Sequence, residues 1–157
     1  MGDIWYNGPM ATTRDQENRV FSILGFRQRR TKAGNPSISE LVRAGFPLST
    51  FDAVLNYAHV SSEQLASVVS ISPRTLQRRR ANPKPMLDRV ESDRIARVAR
   101  LYALAAEVLG SDEAARTWMM TPNRSLDNAR PFTLLETEGE AREIEDALGR
   151  IQHGIFA

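Results

Sequence analysis

Cysteine is absent from this chain of 157 residues. Without a thiol, disulfide bonds, Cys-based zinc sites and cysteine nucleophiles are excluded. No apolar run approaches the roughly 18 residues that a membrane-spanning helix needs. The short apolar segment 20–26 follows a polar stretch and lacks the layout of a signal peptide. We therefore expect no membrane-spanning segment, and the composition is compatible with the cytoplasmic location that we expect.

Histidine is nearly as scarce, since His59 and His153 are the only two. Neither belongs to the His-Glu-x-x-His spacing of a zinc protease, and no Gly-rich loop is present to cradle a phosphate. The acidic residues between 136 and 146 fall in the first turns of a predicted helix, where negative charge complements the helix dipole. We expect no catalytic residue, no metal and no cofactor, so the sequence does not predict an enzyme.

The net charge of +2 is unevenly distributed. Residues 1–110 carry 16 basic and 10 acidic side chains, whereas residues 111–157 carry 5 basic and 9 acidic ones. The first part suits a polyanion and the second suits a different partner. Between Pro73 and Lys84 there are five basic residues and no acidic one. That local excess is typical of an element that binds DNA.

Residues 61–81 have the pattern of a helix-turn-helix. Ser61 and Gln64 have the spacing of a capping box, which predicts a helix start. Ser72 can cap a second helix, with Pro73 at its first position. Two positions depart from the usual pattern, because Ser70 stands where the turn often has Gly and Arg79 stands where an apolar residue is frequent. The residues that would fill the small core of the pair are Leu65, Val69, Ile71 and Leu76.

The second helix of this pair is the candidate recognition helix, because its polar side chains can donate hydrogen bonds and none is acidic. Arginine can bind guanine through two hydrogen bonds, and glutamine can read adenine. An alternative is that the arginines form a solvated helix face. The predicted DNA-binding residues are Ser72, Arg74, Thr75, Gln77, Arg78, Arg79 and Arg80. Of these, we assign Arg79 and Arg80 to the DNA backbone and residues 74, 75, 77 and 78 to bases.

The periodicity along the chain predicts an all-α protein with three parts. Residues 1–36 are predicted to be an N-terminal arm, up to about residue 19, and a basic linker. Residues 37–85 are predicted to form a four-helix DNA-binding domain, in which Ser49 caps the second helix. Residues 86–157 are predicted to form a C-terminal domain that begins with a long helix. The second half of that helix is apolar nearly all round, as expected at a core or a dimer interface. We favour the interface, with Leu101, Tyr102, Ala105 and Leu109 as dimerisation residues.

The C-terminal third carries a set of short motifs at characteristic positions. They are Ala114-Ala115-Arg116-Thr117-Trp118, Thr121-Pro122-Asn123, Leu126, Arg130-Pro131, Leu134-Leu135-Glu136-Thr137, Gly139, Leu148-Gly149-Arg150-Ile151 and Gly154. This set resembles the C-terminal domain of the Xre/MbcA/ParS-like antitoxins, which follows an Xre-like helix-turn-helix as it does here. The resemblance covers roughly residues 38–157. One departure is Asn128-Ala129, where the family often has Gly.

The resemblance implies a type II antitoxin that neutralises a RES-domain, NAD-depleting toxin and binds operator DNA to repress its own operon. It also implies a homodimer, whose C-terminal end blocks the toxin's active site. The toxin-binding residues that it implies are Arg150, His153, Gly154, Ile155, Phe156 and Ala157. Two alternatives remain, a stand-alone regulator whose C-terminal domain only dimerises or senses a ligand, and a protein-binding adaptor with a vestigial helix pair. The apolar tail could also fold back on its own domain or be disordered.

Overall fold

The computed structural model describes residues 13–27 and 34–154, and within these ranges it consists of eight α-helices and two short 3-10 helices. The α-helices are α1 (Thr13–Ile23), α2 (Ile38–Ala44), α3 (Leu48–Ala58), α4 (Ser62–Val68), α5 (Pro73–Arg80), α6 (Arg89–Leu109), α7 (Asp112–Met120) and α8 (Glu138–Gln152). The 3-10 helices, Arg124–Leu126 and Pro131–Leu135, lie between α7 and α8. The extended pairing among the described residues is limited to two isolated bridges. The predicted all-α class is confirmed.

Helix α6 is the central element of the fold. It contacts α1, α2 and α3, which precede it in the chain, and α7 and α8, which follow it. Its start is three residues later than predicted, because Asp88 is the N-cap and forms a capping box with Glu91. Gly110 ends the helix in the left-handed conformation. One continuous core therefore runs from the helix-turn-helix into the C-terminal third.

The apolar half of α6 lies in the core of the chain itself, which corrects the predicted dimer interface. Leu101, Tyr102 and Ala105 are fully buried by the chain's own helices, and Leu109 is partly buried against the same core. The prediction undercounted the elements that cover α6, because it treated the residues before 20 as a mobile arm. Leu101, Tyr102 and Ala105 are therefore not available to a second copy in this arrangement.

Helix α1 corrects the prediction of an arm extending to about residue 19, since the chain is helical from Thr13. Its apolar side chains Val20, Phe21 and Ile23 are buried, and α1 packs against α6 and α3. The remainder of the predicted arm, residues 1–12, and residues 28–33 of the basic linker lie outside the described residues. The apolar segment that begins at Val20 is thus part of the core.

The four helices predicted within residues 37–85 are present as α2–α5, but α3 begins at Leu48 with Pro47 as its N-cap rather than at Ser49. The start of α3 is set by a backbone bridge between the residues before α3 and the segment that precedes α6. The Leu48 amide donates to the Pro85 carbonyl at 2.9 Å, and the Leu87 amide donates to the Phe46 carbonyl at 2.7 Å. Gly45 permits this close approach. It has φ of 86°, and a Cβ there would lie 2.6 Å from the Leu87 carbonyl oxygen.

No helix among the described residues is long and apolar enough to cross a membrane.

Candidate functional site

The turn between α4 and α5 closes as a Schellman motif. The Ile71 amide donates to the Ala66 carbonyl at 2.9 Å, and the Ser70 amide donates to the Ser67 carbonyl at 3.2 Å. Ser70 has φ of 56°, in the left-handed region that favours glycine. The departure noted in the sequence is therefore a serine held in a glycine conformation. Ile71, the residue after it, is buried and secures the turn.

The start of α5 is arranged as the sequence predicts. The Ser72 hydroxyl accepts a hydrogen bond from the Thr75 amide at 3.1 Å and donates to the Thr75 hydroxyl at 2.9 Å. Pro73 occupies the first helical position. Ser72 and Thr75 thus have local structural roles, whatever else they contact.

Three side chains of α5 form its exposed polar face: Arg74, Gln77 and Arg78. They border an open depression of about 420 Å³ together with Thr75 and Ala81. No hydrogen bond or ion pair joins any of the three to the rest of the described chain. A face of donors with no acceptor nearby can bind base edges or phosphate oxygens.

Arg79 points away from that face and into the protein. Its guanidinium donates to the Glu91 carboxylate in α6. Glu91 is only 8% exposed and also accepts from the Asp88 amide at 2.9 Å. A phosphate contact by Arg79 would leave this buried carboxylate without its cation, so the predicted backbone role for Arg79 is corrected to an anchor of α5 on α6. The unusual residue at an otherwise apolar position is explained by its acidic partner.

Arg80 makes a two-bond contact with Asp52 of α3. Its two terminal nitrogens donate to the two carboxylate oxygens at 3.2 and 2.7 Å. The hydrogen bond to Asp52 raises the pKa of Arg80. Both side chains are almost half exposed, so a phosphate could compete for Arg80, and its DNA-backbone role remains a prediction.

The C-terminal residues of the predicted toxin contact lie at the end of α8. The apolar face of α8 packs on the core through Ala141, Ile144, Ala147 and Leu148. Arg150 is half-buried in the last turn, His153 is the exposed C-cap, and Gly154 has φ of 68°. The structure brings these three together at one end of the helix, whereas Ile155, Phe156 and Ala157 lie outside the described residues.

The loop before α8 contains a tight turn at Asn128-Ala129, the one place where the C-terminal motifs depart from the usual pattern. Asp127 and Asn128 have φ of 53° and 61°, and the Ala129 amide donates to the Leu126 carbonyl at 2.9 Å. Two successive residues with positive φ define a type I′ turn. Asn tolerates this conformation better than most residues, which explains why it can stand where the family often has Gly.

A polar junction that the sequence did not predict joins α3, α7 and α1. The Tyr57 hydroxyl donates to Asp112 at 2.5 Å, and Arg19 donates to the same carboxylate oxygen at 3.0 Å. Arg116 donates to the Tyr57 carbonyl at 3.3 Å and lies over the Tyr57 ring. Burial, and then the bond to Asp112, raises the pKa of Tyr57. Residues so far apart in sequence carry no local signal that could have revealed the junction.

Among the described residues, no group of His, Cys, Asp or Glu side chains is placed to hold a metal ion. The acidic side chains of α8 include Glu138, which pairs with Arg97 at 3.3 Å and with Arg142 at 4.0 Å.

Comparison with known proteins finds one matching family model for the helix-turn-helix part of the chain and another for its C-terminal part. A family model described as the antitoxin Xre-like helix-turn-helix domain matches residues 37–100. A second, described as the antitoxin Xre/MbcA/ParS C-terminal toxin-binding domain, matches residues 104–154. A curated "Antitoxin Xre" of Yersinia enterocolitica is 35% identical over 117 residues, which are 74% of this chain and 78% of that protein.

The chain belongs to the Xre/MbcA/ParS family of antitoxins. A second "Antitoxin Xre", from Photorhabdus laumondii, is 28% identical over 90% of this chain and 93% of its own length. The "Mycobacterial cidal antitoxin MbcA" of Mycobacterium tuberculosis is 28% identical over 69% of this chain and 93% of its own length. In this antitoxin the two matched regions meet within α6, which begins in the first and ends in the second.

Proposed function

We propose that this type II antitoxin binds and neutralises a RES-domain toxin that depletes NAD, and that it binds operator DNA to repress its own operon. The observation that carries the proposal is the match of an Xre-like helix-turn-helix followed directly by a toxin-binding domain. We further propose that the protein acts as a homodimer in the cytoplasm, where the operator is found.

The DNA-binding part of the proposal rests on the exposed face of α5. Arg74, Gln77 and Arg78 present donors with no partner among the described residues, at a helix that the capping of Ser72 and the Arg79–Glu91 pair hold in place. Helix-turn-helix proteins insert such a face into the major groove. Each good two-bond contact with a base contributes about 1–3 kcal/mol to discrimination.

Gel retardation of the DNA upstream of the protein's own gene tests this part. Changing Arg74, Gln77 and Arg78 together to Ala should abolish specific retardation. Arg142→Ala, which removes one exposed arginine of α8, is the matched control and should bind like the parent. Unchanged retardation by the triple variant would refute the recognition-helix assignment and favour an adaptor that binds proteins only.

The toxin-binding part is supported by the family match over residues 104–154 and by the different charge of the two ends of the chain. We propose that Arg150, His153, Gly154 and the tail 155–157 enter the mouth of the toxin's active site. An apolar tail after a helix end gains stability when a partner covers it.

Coexpression with a RES-domain toxin encoded beside its gene tests this part, with cell growth and cellular NAD as readouts. Deletion of 155–157 leaves α8 intact and should abolish protection while retaining DNA binding. Deletion of residues 1–3, which removes the same number of residues from the other end, should protect fully. If the C-terminal deletion still protects, the tail does not block the active site.

The alternative function is a stand-alone transcriptional regulator whose C-terminal domain only dimerises or senses a ligand. It predicts that a pull-down from native lysate recovers no RES-domain protein.

A further inference from the structure

A depression of about 470 Å³ lies between α1, α6 and α8. Its apolar lining consists of two buried and two partly buried side chains, which are Val20 and Leu101, and Ile38 and Leu104. The polar residues on its border are Gln16, Glu17, Arg100 and Glu145. A depression of this size with an apolar lining can hold one or two large side chains.

The start of α1 lies at the same end of the molecule as the end of α6, because the two helices run antiparallel. Phe26, just beyond the end of α1, packs on Phe46, whose amide donates to the Ser92 hydroxyl in the first turn of α6 at 2.8 Å. Arg19, in the middle of α1, instead reaches Asp112, which lies beyond the end of α6. The chain that precedes α1 therefore joins the molecule near the second half of α6.

Residues 1–12 carry three consecutive large side chains, Ile4-Trp5-Tyr6. Asn7-Gly8-Pro9 follows directly, and such a sequence is typical of a turn. The six residues between the triplet and Thr13 can span up to about 20 Å. Gln16, on the border of the depression, lies only about 5 Å along the helix axis from Thr13. The triplet is thus long enough on its tether to turn back along α1 and reach the depression.

The polar groups on the border are also complementary to this segment. Glu17, Arg100 and Glu145 make no ion pair with the other described residues. A buried indole N–H needs an acceptor, which either glutamate carboxylate can provide. The Arg100 guanidinium can stack on an aromatic ring or pair with Asp3. The segment therefore matches both the apolar lining and the charges around it.

We propose that Ile4-Trp5-Tyr6 docks in this depression of its own chain, with the indole ring against Leu104. The docked segment contacts both functional parts of the antitoxin. Ile38 and Arg100 belong to the region matched by the helix-turn-helix family model, whereas Leu104 and Glu145 belong to the region matched by the toxin-binding model. The segment thus fastens α8, the last helix of the toxin-binding region, to α1 and α6.

Fluorescence of the full chain tests the docking, because Trp5 and Trp118 are its only two tryptophans. In a Trp118→Phe background, Trp5 should emit at a shorter wavelength than a free peptide of residues 1–12, and acrylamide should quench it several-fold less. Adding Leu104→Lys should bring both values to those of the peptide. The control is Leu109→Lys, which changes a partly buried leucine of the same helix outside the depression and should leave Trp5 shielded. Both lysine variants should keep the parent's helical circular dichroism.

Crosslinking gives a second readout that does not depend on changing the lining, since the chain has no cysteine of its own. Tyr6→Cys with Glu145→Cys should form an internal disulfide under mild oxidation, because docking brings the two side chains within bonding distance. The product should have no free thiol and should run as a monomer on a denaturing gel. In the control pair, Tyr6→Cys with Asp146→Cys, the second thiol is on the next residue of α8, which does not border the depression, and the disulfide should form several-fold more slowly.

Three results would overturn the proposal. If Trp5 is as exposed as in the free peptide, the depression is left to another occupant. If Trp5 stays shielded in a folded Leu104→Lys variant, or if the two cysteine pairs oxidise at equal rates, the segment packs elsewhere. A disulfide-linked dimer, or Trp5 emission that changes on dilution, would place the segment on a second copy. DNA binding and toxin neutralisation are measured separately, so the proposed function stands or fails independently of these results.

Discussion

Arg79 of the recognition helix donates a hydrogen bond to Glu91, which is buried at the start of α6. The same Glu91 side chain closes the capping box of α6. One carboxylate thus stabilises the start of the central helix and fixes the end of the recognition helix. This pair accounts for an arginine at a position where helix-turn-helix proteins often have an apolar residue.

Removing the cation from this pair should destabilise the fold. We expect Arg79→Leu to lower the free energy of unfolding by about 3 kcal/mol, because it leaves a buried carboxylate unpaired. Urea unfolding followed by circular dichroism measures the change. The double variant Arg79→Leu with Glu91→Gln should recover at least half of that loss, since Gln is neutral and can still close the capping box. Equal losses in the single and double variants would mean that the charge pair is unimportant.

If Arg80 contacts the DNA backbone as proposed, Asp52 should compete with phosphate for its guanidinium. We expect Asp52→Asn to release the Arg80 guanidinium and tighten DNA binding, and the slope of log K against log salt should steepen by up to about 0.9 if one phosphate contact is gained. Asp146→Asn removes an exposed charge from α8 and is the control for net charge alone. Equal effects of the two variants would contradict a specific role for Arg80. Titration of promoter DNA at several salt concentrations measures both.

Replacement of Ser70 by glycine should change the free energy of unfolding in the opposite direction from replacement of Ser67. Ser70 has a left-handed backbone, whereas Ser67 lies in the preceding helix. Ser70→Gly should raise the free energy of unfolding by about 0.5–1 kcal/mol, because the left-handed conformation costs a serine more than a glycine. Ser67→Gly, in α4 and also exposed, should lower it by about 0.5–1 kcal/mol. Thermal and urea unfolding of the two variants distinguish these signs, and a destabilised Ser70→Gly would contradict the turn geometry.

The rings of Tyr57 and Tyr102 meet edge to face, with their centroids 5.7 Å apart. Removal of each hydroxyl should change the stability of the protein differently. Tyr57→Phe removes the donor to Asp112 and should cost about 1 kcal/mol. The Tyr102 hydroxyl is buried and has no hydrogen-bond partner among the described residues. Tyr102→Phe should therefore be neutral or stabilise by up to about 1 kcal/mol. Urea unfolding of both variants in parallel checks the contrast, which would fail if both lost equal stability.

The buried Tyr102 hydroxyl should also make the folded state less stable at alkaline pH. Burial, with the nearby Tyr57 as a smaller cause, raises the pKa of Tyr102 above its ordinary value of 10.0. The folded state keeps the neutral phenol while the unfolded state ionises, so this stabilisation is complete below about pH 10 and is lost as the pH rises further. Between about pH 10 and 11, the parent should lose up to about 1 kcal/mol more than Tyr102→Phe. Parallel stability profiles of the two proteins would refute this.

Local patterns accounted for most of the secondary structure. The caps at Ser61 and Ser72 were predictable because they depend on residues three positions apart, and both are confirmed. The start of α3 was predicted wrongly, because a backbone bridge between Pro47 and Met86 sets it. The two partners are too distant in sequence for any local pattern to reveal their pairing.

The candidate DNA-binding face also combines features that are evident from the sequence with features that only tertiary contacts decide. Its arginines are evident from the sequence, but which of them remain available depends on carboxylates that other helices supply. Arg79 and Arg80 were assigned together, yet Glu91 holds the first in a nearly buried pair and Asp52 holds the second near solvent. The apolar half of α6 was assigned to a dimer because its cover by α1, α7 and α8 was not visible in one helix's periodicity.

The sequence by itself determined the all-α class, the capped helix pair and the family, since these depend on residue type and short spacing. Only the tertiary structure decided which arginines face outward, what covers α6, and that Tyr57 meets Asp112. Those outcomes depend on contacts between distant residues, where burial and charge pairing are set by how the helices pack.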